Sequence, residues 1–182
     1  MTHASESFVF IFKDADWFSK VFLGALVLTL SWTGIGFLLA VGYMVLVIQG
    51  IMRGEPVLPE WKNWRIALHN GTALLVLSLI VLSPFIATGF LVETAWVRIA
   101  AIAAIMILLP FLFRHIAEEK PFRLFFHRGT LFFAARHLPY ALAANAVVLA
   151  SLCLGWISLV IGWPIIVFWS LLASSSLIAR MH

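Results

Sequence analysis

Two charge-free runs govern what this chain can fold into. Val21 to Met52 is 32 residues without Asp, Glu, Lys or Arg, and Leu138 to Ala179 is 42. As one helix the first run would be roughly 48 Å long, at about 1.5 Å per residue. The hydrocarbon core of a bilayer is only about 30 Å thick and is crossed by about 20 residues. Each run is therefore read as two crossings. The first breaks at Ser31-Trp32-Thr33-Gly34-Ile35-Gly36, with its turn at Gly34 and Gly36. The second breaks at Gly155-Trp156-Ile157-Ser158, with its turn at Gly155 and Trp156. Composition agrees: 63% of residues are hydrophobic and 11% charged, against about 45–50% and about 25% in a soluble domain. A small globule cannot bury that much apolar surface, which excludes a soluble enzyme, and disorder with it.

Between the two runs lie Thr72–Val92, closed by Glu93, and Ala95–Phe113, closed by Arg114, each of membrane-spanning length. They contain Pro84 and Pro110, which membrane helices tolerate when neighbours satisfy the freed carbonyls. The expected fold is an all-α integral membrane protein of about six transmembrane helices in three hairpins, with interfacial amphipathic helices. Its parts are an N-terminal surface segment (1–20), a first hairpin (21–53), a cytoplasmic loop (54–71), a second hairpin (72–113), a basic amphipathic segment (114–137) and a third hairpin (138–182). The spans of the outer hairpins are expected near Lys20–Thr33, Gly36–Arg53, Leu138–Leu154 and Ser158–Ala179. For the short first arm a re-entrant half-helix is the alternative. The first twenty residues carry Glu6, Asp14 and Asp16, unlike a cleavable signal peptide. Segment Phe8–Lys20 mixes aromatics with charges and is expected to lie on the membrane surface.

Charge gives an independent reading of topology. With both termini cytoplasmic, eleven of the twelve basic residues fall inside and only Arg98 lies outside. The positive-inside rule describes that bias, and the expected location is a bacterial plasma (inner) membrane. The outer hairpins also resemble each other: each turns at a Gly/Trp break and then meets a Gly-aromatic pair, Gly42-Tyr43 or Gly162-Trp163. Parallel duplication and chance both account for this.

Four stretches carry a family resemblance. They are Phe10-Ile11-Phe12-Lys13-Asp14-Ala15-Asp16-Trp17, Gly36 to Gly42-Tyr43, Arg53-Gly54-Glu55-Pro56 and Leu58-Pro59-Glu60-Trp61-Lys62-Asn63-Trp64. Together they resemble the bacterial and archaeal membrane family catalogued as domain of unknown function 4013, most strongly over residues 8–65. Where that family usually carries acidic residues between its two tryptophans, Lys62 and Asn63 stand here. The family has no assigned reaction, so the resemblance implies a compact polytopic protein and carries over no catalytic residue.

Few residues suggest chemistry. His115, Glu118 and Glu119 have the three- and four-residue spacing that shares a helical face, but no second motif completes a metal-ligand set. The lone Cys153 lies within an apolar run and excludes an internal disulfide. No predicted span interior holds Asp, Glu, Lys or Arg, the usual mark of ion-coupled transport. No catalytic, cofactor or metal residue is assigned. Thr29, Ser31, Gln49, Asn145 and Ser151 either bond between helices or line a polar path.

The candidate site is an aromatic-basic interface on the cytoplasmic side. In residues 120–137, Phe122, Phe125, Phe126, Phe132 and Phe133 share one side of a helix; Lys120, Arg123 and Arg136 fall away from it and Arg128 flanks it. Such a helix lies among anionic lipid headgroups, packs on the protein's own spans, or receives a partner. Trp61 and Trp64, three residues apart behind Pro56 and Pro59, are expected to face one way and anchor the 54–71 loop at headgroup level. The expected partners are membrane lipids with anionic headgroups, and other membrane subunits or a second copy, with no nucleic acid. The expected function is that of a non-catalytic accessory, scaffold or assembly subunit. The alternative, a small-solute or lipid transporter or channel, requires a path touching Gln49 or Asn145.

Overall fold

The computed structural model describes residues 10–55, 57–119, 133, 136–157 and 159–180. Among them every regular element is helical and none is a strand. A 3-10 turn, Phe10–Lys13, leads into α1 (Trp17–Thr29). A second, Ser31–Thr33, leads into α2 (Ile35–Met52), and a third, Trp61–Asn63, into α3 (Trp64–Leu91). Then come α4 (Ala95–Ala117), α5 (Leu138–Ile157) and α6 (Leu159–Ala179). Among the described residues three helical segments are long and apolar enough to cross a membrane: Ile35–Met52, Trp61–Leu91 and Ala95–Ala117.

The first charge-free run breaks where its glycines lie. The Leu30 N–H is shared between the carbonyls of Leu26 and Val27, which tightens the last turn of α1. Thr33 and Gly34 then close a 3-10 turn on Leu30 and Ser31. Gly34 takes φ 77°, a left-handed conformation that costs glycine little. Gly36 is already in the first turn of α2. The α-helical part of the first arm, 13 residues, rises only about 20 Å at about 1.5 Å per residue. In the second run the helix continues through Gly155 and Trp156, which form the last turn of α5, and α6 begins at Leu159.

The prolines keep their helices because other groups take the carbonyls they free. A proline leaves the carbonyl four residues earlier without its helical donor. For Pro84 that acceptor is Ile80, and the Ser83 hydroxyl donates to it at 3.1 Å. For Pro110 it is Met106, and the Asn145 side-chain amide donates to it from α5 at 2.7 Å.

Packing is uneven along the chain. Helix α6 is the inner one, with every residue from Leu172 to Ala179 buried, and α1 packs on it as well as on α2. Helices α2 and α3 approach so closely that a Cβ on Gly42 would strike the Ala67 carbonyl, and one on Gly71 the Leu38 carbonyl. By contrast α3 and α4 form an arm. Only 22% of the apolar window in each is buried, against 56% in α2. Near the tip, Phe90, Leu91 and Trp96 are exposed by 83%, 82% and 78%.

The N-terminal segment departs from the surface helix expected of it. Ile11 and Asp14 are 0% and 4% exposed and turn inward, while Phe12 and Phe18 stay exposed. The physical reason is a set of polar contacts to a loop some forty residues further on.

Candidate functional site

Asp14 lies in the turn between the first 3-10 element and α1, and both its carboxylate oxygens are used. Oδ1 accepts the Asp16 backbone N–H at 2.8 Å. Oδ2 accepts the Lys20 ammonium at 2.6 Å and the Leu58 backbone N–H at 2.9 Å. Lys20 Nζ donates in turn to the Leu58 carbonyl at 2.7 Å. The Leu58 peptide is thus held from both sides by one ion pair, in a loop that Pro59 keeps extended. Burial by itself would raise the Asp14 carboxyl. The hydrogen bonds from Lys20, Asp16 and Leu58, with the ammonium charge, outweigh it and hold the group below its ordinary value of 3.8.

Aromatic stacking completes this clamp. The Trp61 indole N–H donates to the Lys20 carbonyl at 3.0 Å. Its ring lies on Tyr43 with centroids 4.1 Å apart and planes 3° from parallel. The Tyr43 hydroxyl donates to the Pro59 carbonyl at 2.8 Å. Phe168 of α6 sits about 6 Å from both rings, at 5.9 and 6.0 Å, and its own ring fills the space a Cβ on Gly24 would need. Two of the stretches that carry the family resemblance, residues 10–17 and 58–64, therefore meet through Asp14, Leu58 and Trp61, over Tyr43 of a third.

No protein-family model, curated protein or solved structure matches this chain.

The two loop tryptophans have different surroundings. Trp61 turns inward, whereas Trp64 is 49% exposed, with the Arg65 guanidinium 5.3 Å from its ring centroid. Shared anchoring by the pair does not describe the loop, because the Lys20 carbonyl and the Tyr43 ring hold Trp61 inward while Trp64 stays exposed.

Of the 120–137 segment, Lys120, Phe122, Arg123, Phe125, Phe126, Arg128 and Phe132 lie outside the described residues. Phe133 and Arg136 are described. Phe133 is half-buried beneath the Arg114 guanidinium at 4.9 Å, edge-on to Phe111 and stacked on His137 with centroids 4.1 Å apart. It packs on the protein's own helices. Arg136 is exposed.

The His115, Glu118 and Glu119 spacing does not gather a ligand set. Glu118 pairs with the buried Arg114 at 2.8 Å, and Arg114 also reaches the Ile178 carbonyl at 3.4 Å. Glu119, at φ 53°, turns toward Arg53 at 3.5 Å and accepts the Gln49 amide at 3.3 Å. Among the described residues no three His, Cys, Asp or Glu side chains stand together as metal ligands. The polar residues considered for a pathway also part company. Thr29 and Ser151 bond to their own helices. Gln49 is engaged by Glu119, and Asn145 lines a cavity between the helices.

Sequence reasoning missed the Asp14–Lys20 pair and the role of Tyr43. The available signal was chemical: acid and base flanking Trp17, and a second, LPEW-type stretch rich in groups able to receive them.

Proposed function

We propose that this chain is a six-span protein of a bacterial plasma membrane, both termini cytoplasmic, acting as a non-catalytic accessory or assembly subunit of a larger membrane complex. The distribution of basic residues supports that orientation, with Arg98 alone on the far side. Arg98 there donates to the Val92 carbonyl at 2.8 Å, beside the exposed Glu93 and Trp96, a grouping suited to a membrane–water boundary.

The observation that carries the accessory reading is the α3–α4 arm. Its outer half is exposed at Phe90, Leu91 and Trp96. Trp96, Ala100 and Ala103 follow one another along an exposed line of α4. Small residues at such spacing let a second transmembrane helix come close. On the opposite side of α4 is a groove of about 260 Å³ between α3 and α4, lined by Phe85, Gly89, Ala101 and Ile105 among others. A Cβ at Gly89 would meet nothing within 4 Å, so the groove has room for a partner's side chain. Partner binding through this arm is tested by gentle extraction from native membranes, native gel electrophoresis and mass spectrometry. The expected result is a species heavier than the monomer containing a second polypeptide. A strictly monomeric protein would refute it.

A further inference from the structure

All six α-helices among the described residues contribute to a cavity of about 320 Å³ within the bundle. Its lining is mainly apolar, with Asn145, Ser78, Ser174 and Ser175 as its polar side chains. Ligand pockets of about 300–1,000 Å³ have this composition, apolar walls with a few polar groups. The Asn145 amide is already committed to Met106 and the Ser175 hydroxyl to the Leu171 carbonyl at 2.8 Å. The walls therefore offer an occupant more dispersion contact than hydrogen bonding. Apolar cavities stay dry and take up apolar guests, because an empty wall forfeits its van der Waals partners.

Two of the lining residues are also exposed on the outside of the bundle. Phe37 of α2 is 45% exposed and Leu75 of α3 is 38% exposed, whereas Met44, further along the same wall, is 4% exposed. The exposed pair faces outward with the apolar flank of α3, where Leu79, one turn on from Leu75, is also exposed; Ile80 is exposed on another side of the same helix. In a bilayer that flank meets acyl chains, and the wall that carries exposed Phe37 and Leu75 continues inward to Met44.

We infer that this cavity holds one hydrocarbon chain of a membrane lipid, admitted sideways between Phe37 and Leu75. The inference rests on the membrane-inserted reading of the chain and is independent of the α3–α4 arm and its partner. It assigns the cavity an occupant drawn from the bilayer itself, with the headgroup left outside.

The test uses the full chain reconstituted in phosphatidylcholine vesicles doped with a phosphatidylcholine that carries a diazirine on one acyl chain. Flotation with the vesicles reports insertion, and peptide mass spectrometry after irradiation locates the adducts. Adducts at buried Met44, as well as at lipid-facing Leu79 and Ile80, are the expected result. Ser174→Phe, which fills the cavity from α6, is expected to lower the Met44 adduct roughly tenfold while leaving Ile80 unchanged. Ser78→Phe fills it from the opposite wall, so one misfolded variant does not decide the matter. Protein that floats yet carries adducts only at Leu79 and Ile80 overturns this inference alone. So does a Met44 adduct that neither filling variant reduces. Protein that does not float overturns the inserted reading and this one with it.

Discussion

Asn145 of α5 donates its side-chain amide to the Met106 carbonyl of α4, the acceptor that Pro110 leaves without a helical donor. The bond at 2.7 Å ties two helices together through a defect in one of them. Asn145→Leu orphans a carbonyl within the bundle and is expected to cost about 1–3 kcal/mol. In a Pro110→Ala background Met106 regains its own helical partner, and the same substitution should cost much less. Thermal unfolding of the four proteins in one detergent measures the coupling. Equal costs in both backgrounds would dissociate the asparagine from the proline.

Asp14 is buried and its partner Lys20 half-buried, so removal of one side leaves the other charge uncompensated. Asp14→Ala is expected to destabilise the protein by about 3 kcal/mol or more. Combining it with Lys20→Met should recover part of that loss, since the stranded ammonium goes too. Proteolysis gives a second readout: the loop at Leu58, freed from the clamp, should be cut faster in Asp14→Ala than in the parent.

The same carboxylate sets an acid sensitivity of definite sign. Its folded pKa lies below the ordinary 3.8, so on acidification the unfolded chain takes up the proton first. The clamp's contribution is then fully present above that ordinary value and is lost as pH falls through the lower, folded one. The melting-temperature difference between the parent and Asp14→Asn should be constant at neutral pH and shrink only in that acid window. A difference that shrinks on raising pH from neutrality would contradict the assignment.

Glycines separate packing from propensity. Gly42→Ala and Gly71→Ala each drive a methyl into a facing backbone carbonyl and force α2 from α3. Each is expected to cost about 1–3 kcal/mol, the usual range for overpacking. Gly89→Ala meets nothing within 4 Å and should be neutral or stabilising by up to about 1 kcal/mol. Melting temperatures in detergent rank the three.

Local features of the fold were legible where a signal is short-range. The break at Ser31–Gly36 follows from glycines in a run too long for one helix, and the structure turns at Gly34. The freed-carbonyl argument for Pro84 and Pro110 likewise needed only helix geometry, although the donors, Ser83 and Asn145, had to be found in three dimensions. What could not be read was long-range pairing. Nothing in the spacing of Asp14 and Lys20 indicates that both close on Leu58, because the connection depends on where α2 returns the chain. Trp61 and Trp64 show the same limit. Helical spacing puts them on one face, but the Tyr43 ring and the Lys20 carbonyl draw only Trp61 inward.

The accessory reading stands or falls with what covers the α3–α4 arm in its native membrane. A photo-crosslinking amino acid at Ala100, compared with one at the exposed Leu26 of α1, reads this directly in intact cells. The account predicts a discrete adduct of defined mass from Ala100, containing a second membrane polypeptide, and only lipid adducts from Leu26. Lipid adducts alone from both positions would contradict it.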